Sequence, residues 1–242
     1  MIKWALYAQC YGREMKRMKV ELLAYTKDAD AICAAAGKSC YSDKSAYDIL
    51  GDENPEKVLG RIVGMGHFSV VEHASFTFSV EGVSRALTHQ LVRHRLASFS
   101  QQSQRYVSLD EPTYVVPKTI AADSRSRQLY EDLMQKIWDT YRELEKTVPP
   151  EDARYVLPNG CTTNITITMN ARELLHFFSL RCCNRAQWEI REMADKMLVL
   201  CKGVSPTIFK AAGPPCIRGA CPEGKLSCGK PRHDLKENVR KP

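Results

Sequence analysis

"NITITMNARELLHFFSLRCC", from Asn164 to Cys183, changes its hydrophobic period halfway along. Ile165, Ile167 and Met169 alternate with Asn164, Thr166 and Thr168, and that period of two puts every other side chain on one face of a strand. Asn170 then offers a side-chain oxygen to the first turn of a helix, and Glu173 is spaced to close a capping box. A helix is therefore predicted from about Ala171 to Cys183. A strand running straight into a helix, in a chain with few strands and many helices, indicates an α+β fold.

Working outward, "HASFTFSV" (73–80) alternates in the same way, with Ala74, Phe76, Phe78 and Val80 on one face. Val20, Leu22 and Ala24 alternate after Met18. Asp28 is predicted to cap a helix through "ADAICAAAGKSC", and Asn54-Pro55 to open another. Ser84 to Arg95 reads as a helix with Leu87 and Leu91 inward, followed by a loop through Ser98–Gln104 and a short extended piece to Val107. A long charged helix is predicted over 123–147, with Leu129, Leu133, Ile137 and Leu144 near one stripe. "PEDARYVLP" reads as a short helix, and 186–201 as another. The expected architecture is a mixed or antiparallel sheet packed with long helices. Residues 1–17 read as an extension, 18–212 as the main domain, and 213–242 as a basic, Cys-containing tail with no packed core.

The chain has 242 residues, a formal charge of +7 and 44% apolar residues, enough for a real core. No apolar run approaches ~18 residues, so no membrane span is expected. The first twenty residues lack a long apolar region and a small-residue cleavage site, so the expected compartment is the cytoplasm and the ten cysteines are read as reduced thiols.

The positive charge clusters in "HQLVRHRLASFSQQSQRYV" (89–107), where Arg93, His94 and Arg95 precede a run of Ser and Gln and then Arg105. The three basic residues either end a helix, where cations suit the negative end of its dipole, or ring a phosphate-bearing ligand. Nucleic acid would call for charge spread along a groove with aromatic platforms. Here the charge is local, which favours a mononucleotide or dinucleotide over the alternative of a basic nucleic-acid-binding protein. Arg172, in the first turn of its helix, opposes the dipole unless an anion binds there or Glu173 pairs with it. Arg181 falls in the apolar stripe, so it requires a partner, either a carboxylate of the fold or a ligand. The guanidinium groups of the 93–105 and 170–181 stretches are expected to converge on one pocket. His67-x5-His73 is not a helical zinc spacing, and Cys216-x4-Cys221-x6-Cys228 lacks a C-x2-C pair, so no metal site is expected.

The pattern R-H-R-x2-S-x4-S-x-R, carried by Arg93, His94, Arg95, Ser98, Ser103 and Arg105, resembles the signature of flavin-dependent thymidylate synthases. The similarity runs from about Met18 to Phe209 and includes "GHFSVVEHASFTF" and "DARYVLP". It implies methylation of dUMP to dTMP, with carbon from methylenetetrahydrofolate and reducing equivalents from NADPH through bound FAD, in homotetramers whose active sites are shared among subunits. By position it implies FAD contacts from His67, Ser69, Arg93, His94, Arg95, Gln101, Asn170, Arg172 and His176. It implies dUMP contacts from Gln90, Gln101, Ser103, Arg105, Arg154 and Arg181, with Arg181 polarising the uracil ring and no cysteine nucleophile. Two positions depart from common members: Ser100-Gln101 stands where many have Asn-Glu, and His176 where some have Asn.

Overall fold

All three alternating runs form strands. In chain order the main elements are β1 (Lys19–Tyr25), α1 (Ala29–Ser39), α2 (Pro55–Gly64), β2 (Ser75–Ser84), α3 (Arg85–Leu91), β3 (Ala97–Gln101), α4 (Ser124–Leu144), β4 (Thr162–Asn170), α5 (Ala171–Arg181) and α6 (Trp188–Val204). The computed structural model describes residues 17–51, 54–109 and 111–237. The extension read at 1–17 lies outside these apart from Arg17. The strands form one sheet in the order β1-β2-β4-β3. Thr77 faces Thr168 (Oγ1 to Oγ1, 3.0 Å) and the Gly82 N–H donates to Asn164 Oδ1 (3.3 Å), so β2 and β4 run antiparallel.

The chain divides into two compact units. The larger takes residues 19–80, 89–100 and 165 onward. Its sheet buries Phe76, Phe78 and Val80 of β2 with Ile165, Ile167 and Met169 of β4, while α5 contributes Leu174, Phe177 and Phe178 and α6 contributes Ile190, Met193, Met197 and Leu198. Phe209 stands edge-on to Phe76 (5.3 Å) and to Phe178 (5.9 Å), joining β2 to α5 through three rings. Each such ring gains about 1.5–3 kcal/mol from burial, and each edge-on pair about 0.5–1.5 kcal/mol more.

Helix starts follow the sequence at Asn54 and depart from it at Asp28. Asn54 Oδ1 accepts from the Lys57 N–H (3.2 Å) with Pro55 in the first turn, as expected. Asp28 precedes α1 but makes no side-chain cap, because its backbone is left-handed (φ 52°) and turns the carboxylate away. Asp30 does more, accepting from Ser205 Oγ and from the Thr207 and Ile208 N–H groups (2.8 and 3.2 Å).

Three further readings are corrected. The helix from Arg85 stops at Leu91, so Arg93, His94 and Arg95 lie beyond it and are not bound to helical spacing. The segment read as a loop at 98–104 begins as strand β3, with turns only at 104–106, because alternate side chains from Ala97 can pack inward beside β4. The tail is not coreless either. Ile217 and Leu235 are buried, and Lys202 of α6 donates its Nζ to Leu235 O (2.5 Å).

The smaller unit takes residues 81–88 and 101–164. Its α4 begins at Asp123, whose carboxylate accepts from the Ser126 N–H (2.8 Å). The buried stripe of α4 is Met134, Trp138 and Tyr141, with Leu129 and Leu133 exposed. The expected Leu stripe is thus off by one residue. Residues 130, 134, 138 and 141 keep helical spacing equally well, and the larger Tyr and Trp rings bury more area against Cys161 and Tyr114.

Candidate active site

The larger unit builds its site around the start and the end of α5. Asn170 closes β4 and caps α5, its Oδ1 accepting from the Glu173 N–H at 2.9 Å. The return arm of the capping box is not made. The buried Glu173 carboxylate turns instead to His94, accepting from Nδ1 at 2.9 Å. His94 Nε2 in turn accepts from the Arg181 Nε–H at 3.1 Å. A donor demanded at Nδ1 and an acceptor demanded at Nε2 fix one neutral tautomer. Burial is the largest influence on the imidazole and pushes its pKa down. Glu173 pulls it up through the hydrogen bond, and Arg181 and His176 push it down again. His94 also sits edge-on to Phe177 (4.9 Å) and to His176 (5.9 Å).

Arg181 therefore has a partner in the fold, but not the carboxylate one would expect. Its Nε meets the neutral ring of His94, its NH2 points to the Gln90 carbonyl (3.5 Å), and no carboxylate among the described residues pairs with it. Burial and then Arg93 push its pKa down. Arg93 and Arg95 flank His94, are exposed, and donate no hydrogen bond to any described residue. The 93–105 and 170–181 stretches thus meet at His94.

Arg172 pairs with Glu72, not with Glu173, through a short NH1–Oε1 contact. That pair ties the turn Phe68–His73 to α5, against which the turn packs, and so sets the exposed His67 and Ser69 at the α5 side of the unit. Both members are about half exposed, so an incoming anion could replace Glu72 at a cost of roughly 0–1 kcal/mol.

The smaller unit gathers a second set. Ser103 Oγ accepts from the Arg105 N–H (3.2 Å), and the Arg105 guanidinium lies over Tyr106 (5.4 Å) while pairing with Glu151 Oε2 (2.9 Å). Arg154 Nε donates to the Glu151 carbonyl (3.0 Å), so one residue organises both arginines. Gln101 spends its amide nitrogen inside the fold, on Thr88 Oγ1 (3.2 Å) and Thr163 Oγ1 (3.3 Å), and its oxygen meets no donor among the described residues. Glu72, Glu151 and Glu173 were not picked out as site residues from sequence. Glu173 was legible only as a capping residue, and the other two carry no local signal.

Residues 21–207 match the family described as thymidylate synthase complementing protein. The chain is 53% identical over 219 residues to a flavin-dependent thymidylate synthase of Geobacter sulfurreducens, covering 88% of this chain and 94% of that one. It is 45% identical over 240 residues to the enzyme of that name from Nitratidesulfovibrio vulgaris, covering 91% and 97%. A UMP/dUMP methylase, PolB from Streptomyces cacaoi, shares the fold with a TM-score of 0.71 at 24% identity, over 81% of this chain and 95% of that one.

Proposed function

Because the chain belongs to the flavin-dependent thymidylate synthase family, we infer that it converts dUMP to dTMP, with methylenetetrahydrofolate as carbon donor and FAD reduced by NADPH as hydride source. The observation that carries the site reading is the line Glu173–His94–Arg181, which presents a part-buried guanidinium with only neutral acceptors.

The donor set fits a flavin nucleotide. Arg93 and Arg95 pair with no anion among the described residues, Arg172 holds a replaceable one, and the start of α5 adds its dipole to Asn170. FAD would lie against these residues with His67, Ser69, His94 and His176. When bound, the flavin supplies the hydride that turns the transferred carbon into a methyl group. Arg181 directs its N–H groups at the uracil ring and stabilises the negative charge that develops there. Neutral His94 keeps that guanidinium in one orientation, and Glu173 keeps His94 in one tautomer. Gln90 would meet dUMP beside Arg181. In the smaller unit Ser103, Arg105 and Arg154 would hold a nucleotide phosphate, an oxygen of which would replace Glu151 on Arg105. No thiolate is needed. Burial raises the thiols of Cys33 (to about 11), Cys161, Cys182 and Cys201, which makes them poor nucleophiles.

We further propose a homotetramer with shared sites, supported by the exposed Leu129 and Leu133 one turn apart on α4. A cytoplasmic location is supported by the nine described cysteines, all free thiols. No helix among the described residues is long and apolar enough to cross a membrane. Purified protein should be yellow, bleach with NADPH under anaerobic conditions, and form dTMP only when FAD is present. Protein that neither holds nor can be reloaded with FAD would overturn the reading.

A further inference from the structure

Four of the nine described cysteines line one cavity. Cys183, two residues past α5, and Cys216, Cys221 and Cys228 of the tail all line a space of about 190 Å³ in the larger unit. The tail segment is strapped over it. Asn184 Nδ2 donates to Lys230 O (2.8 Å), Arg185 NH1 to Glu223 Oε2 (3.0 Å) and Leu226 O (2.9 Å), and Arg232 NH1 to Cys182 O (2.8 Å). Arg232 is held in addition by Asp195 and Asp234. Three thiols in a loose tail would signify little, but here the fold fixes them and supplies a fourth. Cys182 is buried at the end of α5 while Cys183 turns out toward the tail, so the adjacent pair divides between core and cavity.

We propose that Cys183, Cys216, Cys221 and Cys228 ligate a [4Fe–4S] cluster. Four thiolates are the ligand set of such a cluster, and soft sulfur ligands select iron–sulfur or zinc over hard cations. Size decides between the two. Zinc bonds sulfur at about 2.3 Å, which brings its thiolates to about 3.8 Å of one another. No three Cys, His, Asp or Glu groups among the described residues are gathered as one metal ion needs. The cysteines surround a space instead of a point, and that space is far larger than the roughly 10–15 Å³ a water requires. Charge agrees. With its four thiolates a [4Fe–4S] centre carries about −2, and Arg185, Lys230 and Arg232 line the same cavity. The assignment is independent of the flavin reading.

The test uses the full chain purified without oxygen. One sample is incubated with ferrous iron, sulfide and a thiol reductant, a second with zinc alone, and both are desalted. The first should retain about four iron and four acid-labile sulfide per chain, with a paramagnetic signal after dithionite that a flavin radical does not give. Cys183→Ser and Cys221→Ser should each lose most of the iron, whereas Cys40→Ser, on an exposed thiol beside α1, should keep it. FAD per chain, measured on the same samples, separates loss of the cluster from loss of the fold. Parent protein with a full iron complement and no FAD would leave this proposal standing and sink the flavin reading. Tight retention of one zinc with no iron or sulfide would overturn the cluster, as would retention of no metal, or iron content indifferent to both serine variants.

Discussion

Replacing Glu173 by Leu tests the Glu173–His94–Arg181 line most directly. The substitution removes the acceptor of His94 Nδ1 while leaving intact the Asn170 cap, which uses only the backbone of residue 173. His94 is 5% exposed, so water cannot take the carboxylate's place. An unpaired buried donor costs about 1–3 kcal/mol. At about 2–4 °C per kcal/mol for a chain of this size, the melting temperature should fall by about 2–12 °C. Turnover should fall further than stability alone explains, because Arg181 loses its fixed acceptor, and a displacement of about 1 Å in such a group can cost about 100-fold. Glu173→Gln keeps an acceptor oxygen without the charge, and since charge-assisted bonds are roughly twice as strong as neutral ones it should restore about half of the lost stability. Imidazole nitrogen NMR on the parent should show the Nδ1–H tautomer of His94. An Nε2–H tautomer, or a Glu173→Leu protein that melts with the parent and turns over at its rate, would refute the reasoning.

Arg181→Ala should reduce dTMP formation by about 100-fold or more while the flavin absorbance survives, read by a single-turnover assay on FAD-loaded protein. Burial holds His94 below its ordinary 6.5, so below that pH the unfolded chain binds a proton the folded chain refuses. The associated stability is complete above 6.5 and drains as the pH falls through the folded value, so melting temperature should drop on acidification, and less steeply in His94→Gln. Phe209→Ala removes the ring between Phe76 and Phe178 and should cost about 3–5 kcal/mol in urea unfolding.

What could be read from the sequence was what repeats locally. The alternation at 74–80 and 165–169 gave β2 and β4, and the Asn54 and Asn170 caps located two helix starts. The α4 helix was legible in extent but not in facing, because two registers of apolar residues share its spacing and only the partners across the core choose between them. The end of α3 was missed because the helical pattern through Leu91 carries no Gly or Pro to stop it. The guanidinium of Arg181 in an apolar stripe announced itself, yet its partner did not, since His94 is 87 residues away. Glu173 satisfied a capping rule so well that its contact with His94, 79 residues distant, left no trace in the local pattern.

Asp30 joins the first helix to the segment after the last one, through Ser205, Thr207 and Ile208, as many as 178 positions further on. A ribosome adds about 5–20 residues each second, so α1 waits roughly ten to forty seconds after its own synthesis before its carboxylate can be engaged. During that interval the amino-terminal part of the larger unit lacks the tether that the later segment supplies.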